Sequence, residues 1–315
     1  MSCGTEPAAM QRDIPILVFV NRAAGRRRAP AYLPRLQILF ESLGVSVQFV
    51  ETSGASELES AVRSAADAKH RILLAMGGDG TFQALVNGVY GNDVIIGILP
   101  AGGGNDFATA LGLPCDPVCA AQIILKGEPR SMDLVRVRTA DGRTRFYVGG
   151  GGIGLDAEAA RFASGPYRRL PGRLRYLASA LRALSAHVPL KVRLEFPCEG
   201  FPPAESVSLL AGVLNTPTYG AGLRLAPDAR TDDGLLDVVL LEDVSVLTVL
   251  KLLPRLMSSG DLRTSKVKRW RVRSVRISAD RLCLFHGDGE ILGPAPVEIE
   301  VVPSAVRVLA PLKEG

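Results

Sequence analysis

Short apolar runs alternate with helix-patterned segments through the first part of the chain. Residues 16–20, 45–51, 72–76 and 95–99 are each too short for a buried helix, and each leads through a Gly- or Asn-bearing turn into a segment with helical spacing. This rhythm predicts parallel strands covered by helices on both faces. In such sheets ligands bind beyond the carboxyl ends of the strands, so the turns that follow the runs are the places to search for chemistry.

After Asp133 the pattern changes. Strand-like segments at 145–148, 190–196, 207–214 and 236–241 are separated by Pro- and Gly-containing turns, and three more follow at 282–285, 297–302 and 306–310. Two helices interrupt them: Leu174, Leu177, Leu181 and Leu184 recur at helical spacing, and 244–253 forms a second, each with an apolar face to bury. We therefore expect a Rossmann-like α/β domain at 12–136, which the tail 305–315 is a candidate to complete. A mostly antiparallel β-sandwich follows at 137–304. A chain of 315 residues exceeds what one core comfortably organises.

Composition narrows the class. Hydrophobic residues make up 47% and aromatic ones 5%, which fits an aliphatic-rich globular protein. The most apolar region, 235–256, is broken by Asp237, Glu242, Asp243, Lys251 and Pro254, so no bilayer-spanning segment is expected. The run at 16–20 follows Arg12, Asp13 and Pro15 without a cleavage pattern and reads as a first strand. Cys3, Cys115, Cys119, Cys198 and Cys283 are odd in number and scattered, which points to free thiols in a reducing cytoplasm. No second Cys/His pair accompanies Cys115 and Cys119 to make a metal site. A net charge of +5 suits nucleic acid, anionic lipid or nucleotide.

Three glycine turns carry the candidate chemistry. Gly77, Gly78, Asp79, Gly80 and Thr81 stand between the run 72–76 and a helix through Ala84 and Val89. Glycines let the backbone approach an anion, and the following helix start offers unpaired N–H groups and a positive dipole end. The turn is neither a Walker A loop nor a dinucleotide fingerprint. A second turn, Pro-Ala-Gly-Gly-Gly-Asn-Asp at 100–106, includes Gly103, Asn105 and Asp106. A third, from Asn21 to Gly25, is followed by Arg26, Arg27 and Arg28, guanidinium groups suited to phosphate.

With those turns in place, the chain resembles the diacylglycerol kinase catalytic domain family, which includes soluble bacterial lipid kinases, sphingosine kinases and ceramide kinases. The resemblance spans nearly the whole chain. It rests on NRAAG from Asn21, Thr52, GGDGT from Gly77, Asn87-Gly88, PAGGGNDFA from Pro100 and MDLV from Met132, then GIGLDAE from Gly152, APDARTDDGLLDV from Ala226 and DGE from Asp288. It implies an N-terminal fold shared with phosphofructokinases and NAD kinases, and a lipid kinase that transfers the γ-phosphate of ATP to the hydroxyl of a diacylglycerol-like or sphingoid lipid. ATP is expected at Asn21, Gly25, Thr52, Gly77, Gly78, Asp79, Gly80, Thr81, Gly103, Asn105 and Asp106.

The resemblance also nominates Glu290 as general base with Asp288 beside it, and Asp79 and Asp133 in an acidic network around Mg2+. A separate structural Mg2+ site would use Arg230, Asp233 and Leu235, where an Asp-Gly hairpin turn is the alternative. Asp156 would contact the lipid head. Gly103 and Thr109 depart from the pattern, where many relatives carry Thr and Arg, so a hydroxyl and a cation are missing. Two alternatives stay open: a nucleotide- and membrane-binding protein with little catalysis, and an NAD kinase.

Between Arg161 and Arg182 lie six arginines without an acidic residue, interleaved with Tyr167, Tyr176 and leucines. This suits peripheral contact with an anionic membrane surface. The stretch 263–276 around Trp270 reads instead as a solvated face beside a strand. No nucleic-acid motif is present, so nucleic acid is not expected as a partner. A homodimer is left open.

Overall fold

The computed structural model describes residues 14–312 other than 25–28, 168–169, 171, 187, 221, 261 and 263. Four parallel strands, β1 (Ile16–Asn21), β2 (Val47–Thr52), β3 (Ile72–Gly77) and β4 (Ile95–Pro100), stand in the order β2-β1-β3-β4. Ile16, Leu17, Val18, Phe19 and Val20 are all buried, because helices cover both faces and alternate side chains each find a core. The helix Ala55–Asp67 shows how a covering helix is specified. Leu58, Val62, Ala65 and Ala66 fall on one stripe and are its buried residues. The helix Asp79–Val89 is buried almost all round, because the second domain closes over its outer side. Gly88 lets it approach its neighbour: a Cβ there would lie 2.9 Å from the Glu59 carbonyl oxygen.

The C-terminal part is β-sandwich-like and mostly antiparallel. It contains β5 (Glu128–Arg138), β6 (Thr144–Tyr147), β7 (Gly150–Gly154), β8 (Leu190–Glu195), β9 (Ala204–Leu214), β10 (Leu236–Glu242) and β11 (Val267–Val272). Then come β12 (Ser274–Ala279), β13 (Leu284–Gly287), β14 (Glu290–Pro294) and β15 (Val297–Ala310). The two last predicted runs are one strand, β15, whose register shifts between Val302 and Val306. Before the shift it pairs with β12, and after it β15 joins the N-terminal sheet parallel to β4, with β5 alongside both halves.

Several strands escape the apolar-run criterion. β7 consists of Gly-Gly-Gly-Ile-Gly and has almost no side chains to show a pattern. The glycines are required by crowding: a Cβ on Gly151 would collide with the His286 carbonyl, and one on Gly152 with the Asp156 carboxylate. β11 occupies the second basic stretch. Its charges are engaged by neighbours, Lys266 and Lys268 with Glu242 and Arg271 with Asp233, while Arg269 donates to the carbonyls of Leu225 and Gly260. The last helix runs Val246–Ser258, longer than the predicted 244–253. None of its residues is fully buried.

Candidate active site

Parallel registry brings the predicted turns to one sheet edge. Asn21 is paired with Thr52 at the ends of β1 and β2, and Gly77 with Pro100 at the ends of β3 and β4. Asn21 accepts from the Ala23 N–H at 2.9 Å and donates from Nδ2 to Thr81 Oγ1 at 2.9 Å, so the first turn is tied to the third. Thr52 is buried beside it. Gly25, Arg26, Arg27 and Arg28 lie outside the described residues.

The Gly77 turn is built by the residue that ends it. Thr81 folds back so closely that any Cβ on Gly77 would collide with its side chain. Gly78 precedes the first helical turn, and its carbonyl receives the N–H groups of Thr81 at 2.9 Å and Phe82 at 3.1 Å. The Gly102 turn packs directly on it, since a Cβ on Gly78 would lie 3.2 Å from the Gly102 Cα. Asn105 holds that turn from a left-handed conformation (φ 58°), accepting the Gly102 N–H at 3.0 Å. Gly103 is exposed at its tip, and Asp106 opens the short helix Asp106–Ala110. Phe82 and Phe107 stack with ring centroids 4.2 Å apart, locking the two helix starts together. Asp79 completes the joint, accepting the Phe107 N–H at 3.0 Å. Burial raises the Asp79 carboxyl above its ordinary value against the pull of these N–H groups.

The DGE segment arrives from the other domain. β13 and β14 form a hairpin in which Asp288 (φ 50°) and Gly289 (φ 86°) are the two loop residues, the geometry that Asp-Gly favours. The Asp288 carboxylate is pinned by the N–H groups of Val148 at 2.8 Å, Gly149 at 2.8 Å and Gly150 at 3.2 Å. Burial nevertheless pushes it up to about 7, and the nearby Asp79 charge adds to the rise. Gln83 donates to the Gly287 carbonyl at 3.2 Å, and Asn87 clasps Phe146 through both its N–H (3.0 Å) and its carbonyl (2.8 Å). The helix Asp79–Val89 is thereby bolted to the second domain. Glu290 ends up against the Gly77 turn: its Oε1 would be 3.3 Å from a Cβ on Gly80. Desolvation at the domain junction raises its carboxyl above the ordinary range, with the Arg175 charge opposing.

Asp79, Asp288 and Glu290 therefore meet beside the glycine turns. Asp133 is held by a different set of N–H groups. Its carboxylate accepts the N–H of Gly234 at 2.7 Å and of Ser304 at 2.8 Å, which ties it to the 230–235 loop and to the register shift of β15. In that loop Asp233 accepts from the Leu235 N–H at 3.0 Å and pairs with Arg271, while Arg230 turns to Asp232. Asp233 thus holds the loop as a turn from inside while its other oxygen faces Arg271. Asp156, in the first turn of the helix Leu155–Ser164, is buried against Tyr219 and His286. The Tyr219 hydroxyl donates to Asp156 Oδ2 at 3.2 Å, and His286 Nε2 touches both.

Gln83, Asn87, Tyr219, His286 and Arg175 are the residues that sequence reasoning did not assign. Asn87 was visible only as a landmark. His286 stands two positions before Asp288 and is one of three histidines, which is the one signal that marks it.

The comparisons with known proteins agree with this two-domain architecture. Residues 15–137 match the diacylglycerol kinase catalytic domain, and 151–310 match the YegS C-terminal NAD kinase beta sandwich-like domain. A diacylglycerol kinase of Mycobacterium tuberculosis is 32% identical over 258 residues, 81% of this chain and 80% of its own. One from Bacillus subtilis is 24% identical over 301 residues, 95% of this chain and 97% of its own. A crystal structure of a diacylglycerol kinase from Bacillus anthracis superposes with a TM-score of 0.70 at 19% identity, covering 94% of this chain and 96% of that one. The pairing of an α/β domain with a sandwich-like domain is thus matched over both halves, and the chain belongs to the diacylglycerol kinase catalytic domain family.

Proposed function

We propose that this protein transfers the γ-phosphoryl group of ATP to the free hydroxyl of a diacylglycerol-like or sphingoid-type lipid. The observation that carries the reading is the approach of Glu290 to Gly80, which sets a carboxylate of one domain over the glycine turn of the other. Asn21, Thr52, the turn from Gly77 to Thr81, and Gly103, Asn105 and Asp106 take the nucleotide, whose phosphates meet backbone N–H groups at the start of the helix Asp79–Val89. The lipid oxygen attacks the γ-phosphorus in line, its proton passes to Glu290, and ADP leaves. A carboxyl raised by desolvation is the better proton acceptor at neutral pH.

Asp79 and Asp288 supply hard oxygen donors that repel one another, and Mg2+ suits such a pair. Among the described residues no three His, Cys, Asp or Glu side chains gather to hold a metal alone, so phosphate and water oxygens would complete the shell. Bound there, Mg2+ would neutralise charge on the phosphates. Asp156 reaches the lipid head through Tyr219, the less buried member of its cluster. The four described cysteines are free, in keeping with a cytoplasmic protein, and peripheral membrane contact brings it to its substrate. No helix among the described residues is long and apolar enough to cross a membrane.

ADP release with Mg2+ and dispersed diacylglycerol, monoacylglycerol, sphingoid base or ceramide tests the proposal. Silence with all four lipids overturns it. Two further outcomes follow from the geometry. Gly102→Ala should weaken ATP binding about tenfold or more in a nucleotide titration and cost roughly 1–3 kcal/mol of stability, because the new methyl collides with the Gly78 backbone and cannot be accommodated by side-chain rotation.

The raised Asp288 carboxyl predicts a stability slope. A folded-state value of about 7 against an ordinary 3.8 means that the folded protein holds this proton more tightly. The group's contribution is full below about pH 4 and is lost as pH rises through about 7, by at most about 4 kcal/mol. Urea midpoints of the nucleotide-free protein should therefore fall more between pH 5 and 8 than those of Asp288→Asn. Equal slopes would remove Asp288 as the cause.

A further inference from the structure

The helix Val246–Ser258 reverses the usual surface pattern. Val249, Leu252 and Leu256 rest, partly buried, on the apolar cluster of the second domain. At roughly 100° per residue, Leu247, Leu250 and Pro254 occupy the opposite face, where a solvated helix carries polar residues. Leu247 is 69% exposed, Met257 58%, Val246 45% and Leu250 41%. Lys251 and Arg255, both exposed, follow along one flank of this stripe.

A second helix on the same cluster repeats the arrangement. In Gly172–Ser185, Ala183 and Leu184 are buried in the cluster while Leu174 (58% exposed) and Leu181 (43%) face outward with Arg182. Arg161 and Arg182 both lie over the Phe162 ring, which keeps two cations close to this apolar surface. Residues 159–194 and 244–260 contain no Asp or Glu.

We infer that the outer face of the helix Val246–Ser258 docks on an anionic lipid bilayer. Leu247, Leu250 and Met257 enter the acyl boundary, and Lys251 and Arg255 meet the headgroups. The charge decides between a bilayer and a second copy of the chain. A two-fold seam through this face would bring like-charged flanks together, whereas anionic headgroups complement them. The inference rests on the lipid-kinase reading for its biological sense and on the helix geometry for its evidence.

Vesicle sedimentation tests it with the full chain. The wild type should sediment with vesicles of phosphatidylcholine containing phosphatidylglycerol, and less with phosphatidylcholine alone. The Leu247→Asp/Leu250→Asp variant should bind at least about tenfold more weakly to both. The Lys251→Glu/Arg255→Glu variant should lose only the preference for phosphatidylglycerol. All these positions are exposed, so folding is retained, which circular dichroism checks. Undiminished binding by the Leu variant overturns the inference, as does a wild-type dimer that the same variant splits. Turnover of a short-chain, water-dispersed diacylglycerol keeps the two readings apart. Equal rates for wild type and variants leave docking as the only loss, whereas no turnover by any of them counts against the kinase and leaves the binding result standing.

Discussion

Glu290→Gln should lower kcat for lipid phosphorylation by about two to four orders of magnitude, the range that a positioned general base supplies. Glutamine keeps the shape and the polar contact beside Gly80 but cannot accept the lipid proton. The nucleotide side of the site is built by other residues, chiefly the joint in which Asp79 accepts the Phe107 N–H. The KM for ATP should therefore change by less than about threefold, because the missing interaction is made only as the proton moves. Steady-state ADP release at saturating lipid measures both constants. A variant with more than a tenth of the wild-type kcat would show that Glu290 does not take the proton, and the hairpin would then be left with a role in shaping the cleft.

What the sequence disclosed depended on whether side chains carried the information. The four strands ending at Asn21, Thr52, Gly77 and Pro100 are legible because each is a dense apolar run, and the turns after them are legible because their glycines are forced by close approach. β7 leaves no pattern, since its neighbours His286 and Asp156 occupy the space where side chains would stand. The convergence of DGE on the Gly77 turn is invisible in one dimension. It is made by Gln83 and Asn87, buried or half-buried on a helix whose apolar residues gave no reason to single them out, reaching Gly287 and Phe146 across the domain junction. The family resemblance supplied Asp133 as a member of the acidic network, and only the fold shows its carboxylate also joining the 230–235 loop to β15 through backbone N–H groups. The second basic stretch reads as a solvated face, and in the fold its charges stay exposed on β11 while pairing with neighbouring carboxylates and carbonyls.

Asp133→Ala should cost roughly 2–5 kcal/mol of stability while leaving the reaction itself intact. Asp133 is 2% exposed, and its two oxygens are shared between Gly234, in the 230–235 loop, and Ser304, inside the register shift of β15. That shift is where β15 leaves β12 of the sandwich and joins β4 of the N-terminal sheet. Ser304 sits there with φ 50°, a conformation that a non-glycine residue adopts only when its surroundings hold it. Alanine would remove two hydrogen bonds to a charged, buried acceptor, worth about 1–3 kcal/mol each, from part-buried N–H groups, and would release the bulge through which the two domains share one strand. Asparagine retains one acceptor and should recover about half of the loss. Urea denaturation gives the stability, and kcat measured well below the unfolding midpoint gives the chemistry. If kcat falls by more than a hundredfold while the midpoint stays unchanged, Asp133 acts on the reacting groups and the structural assignment is wrong. If the midpoint falls and kcat survives, the carboxylate is the pin that keeps the sandwich, and with it Glu290, in register with the glycine turns.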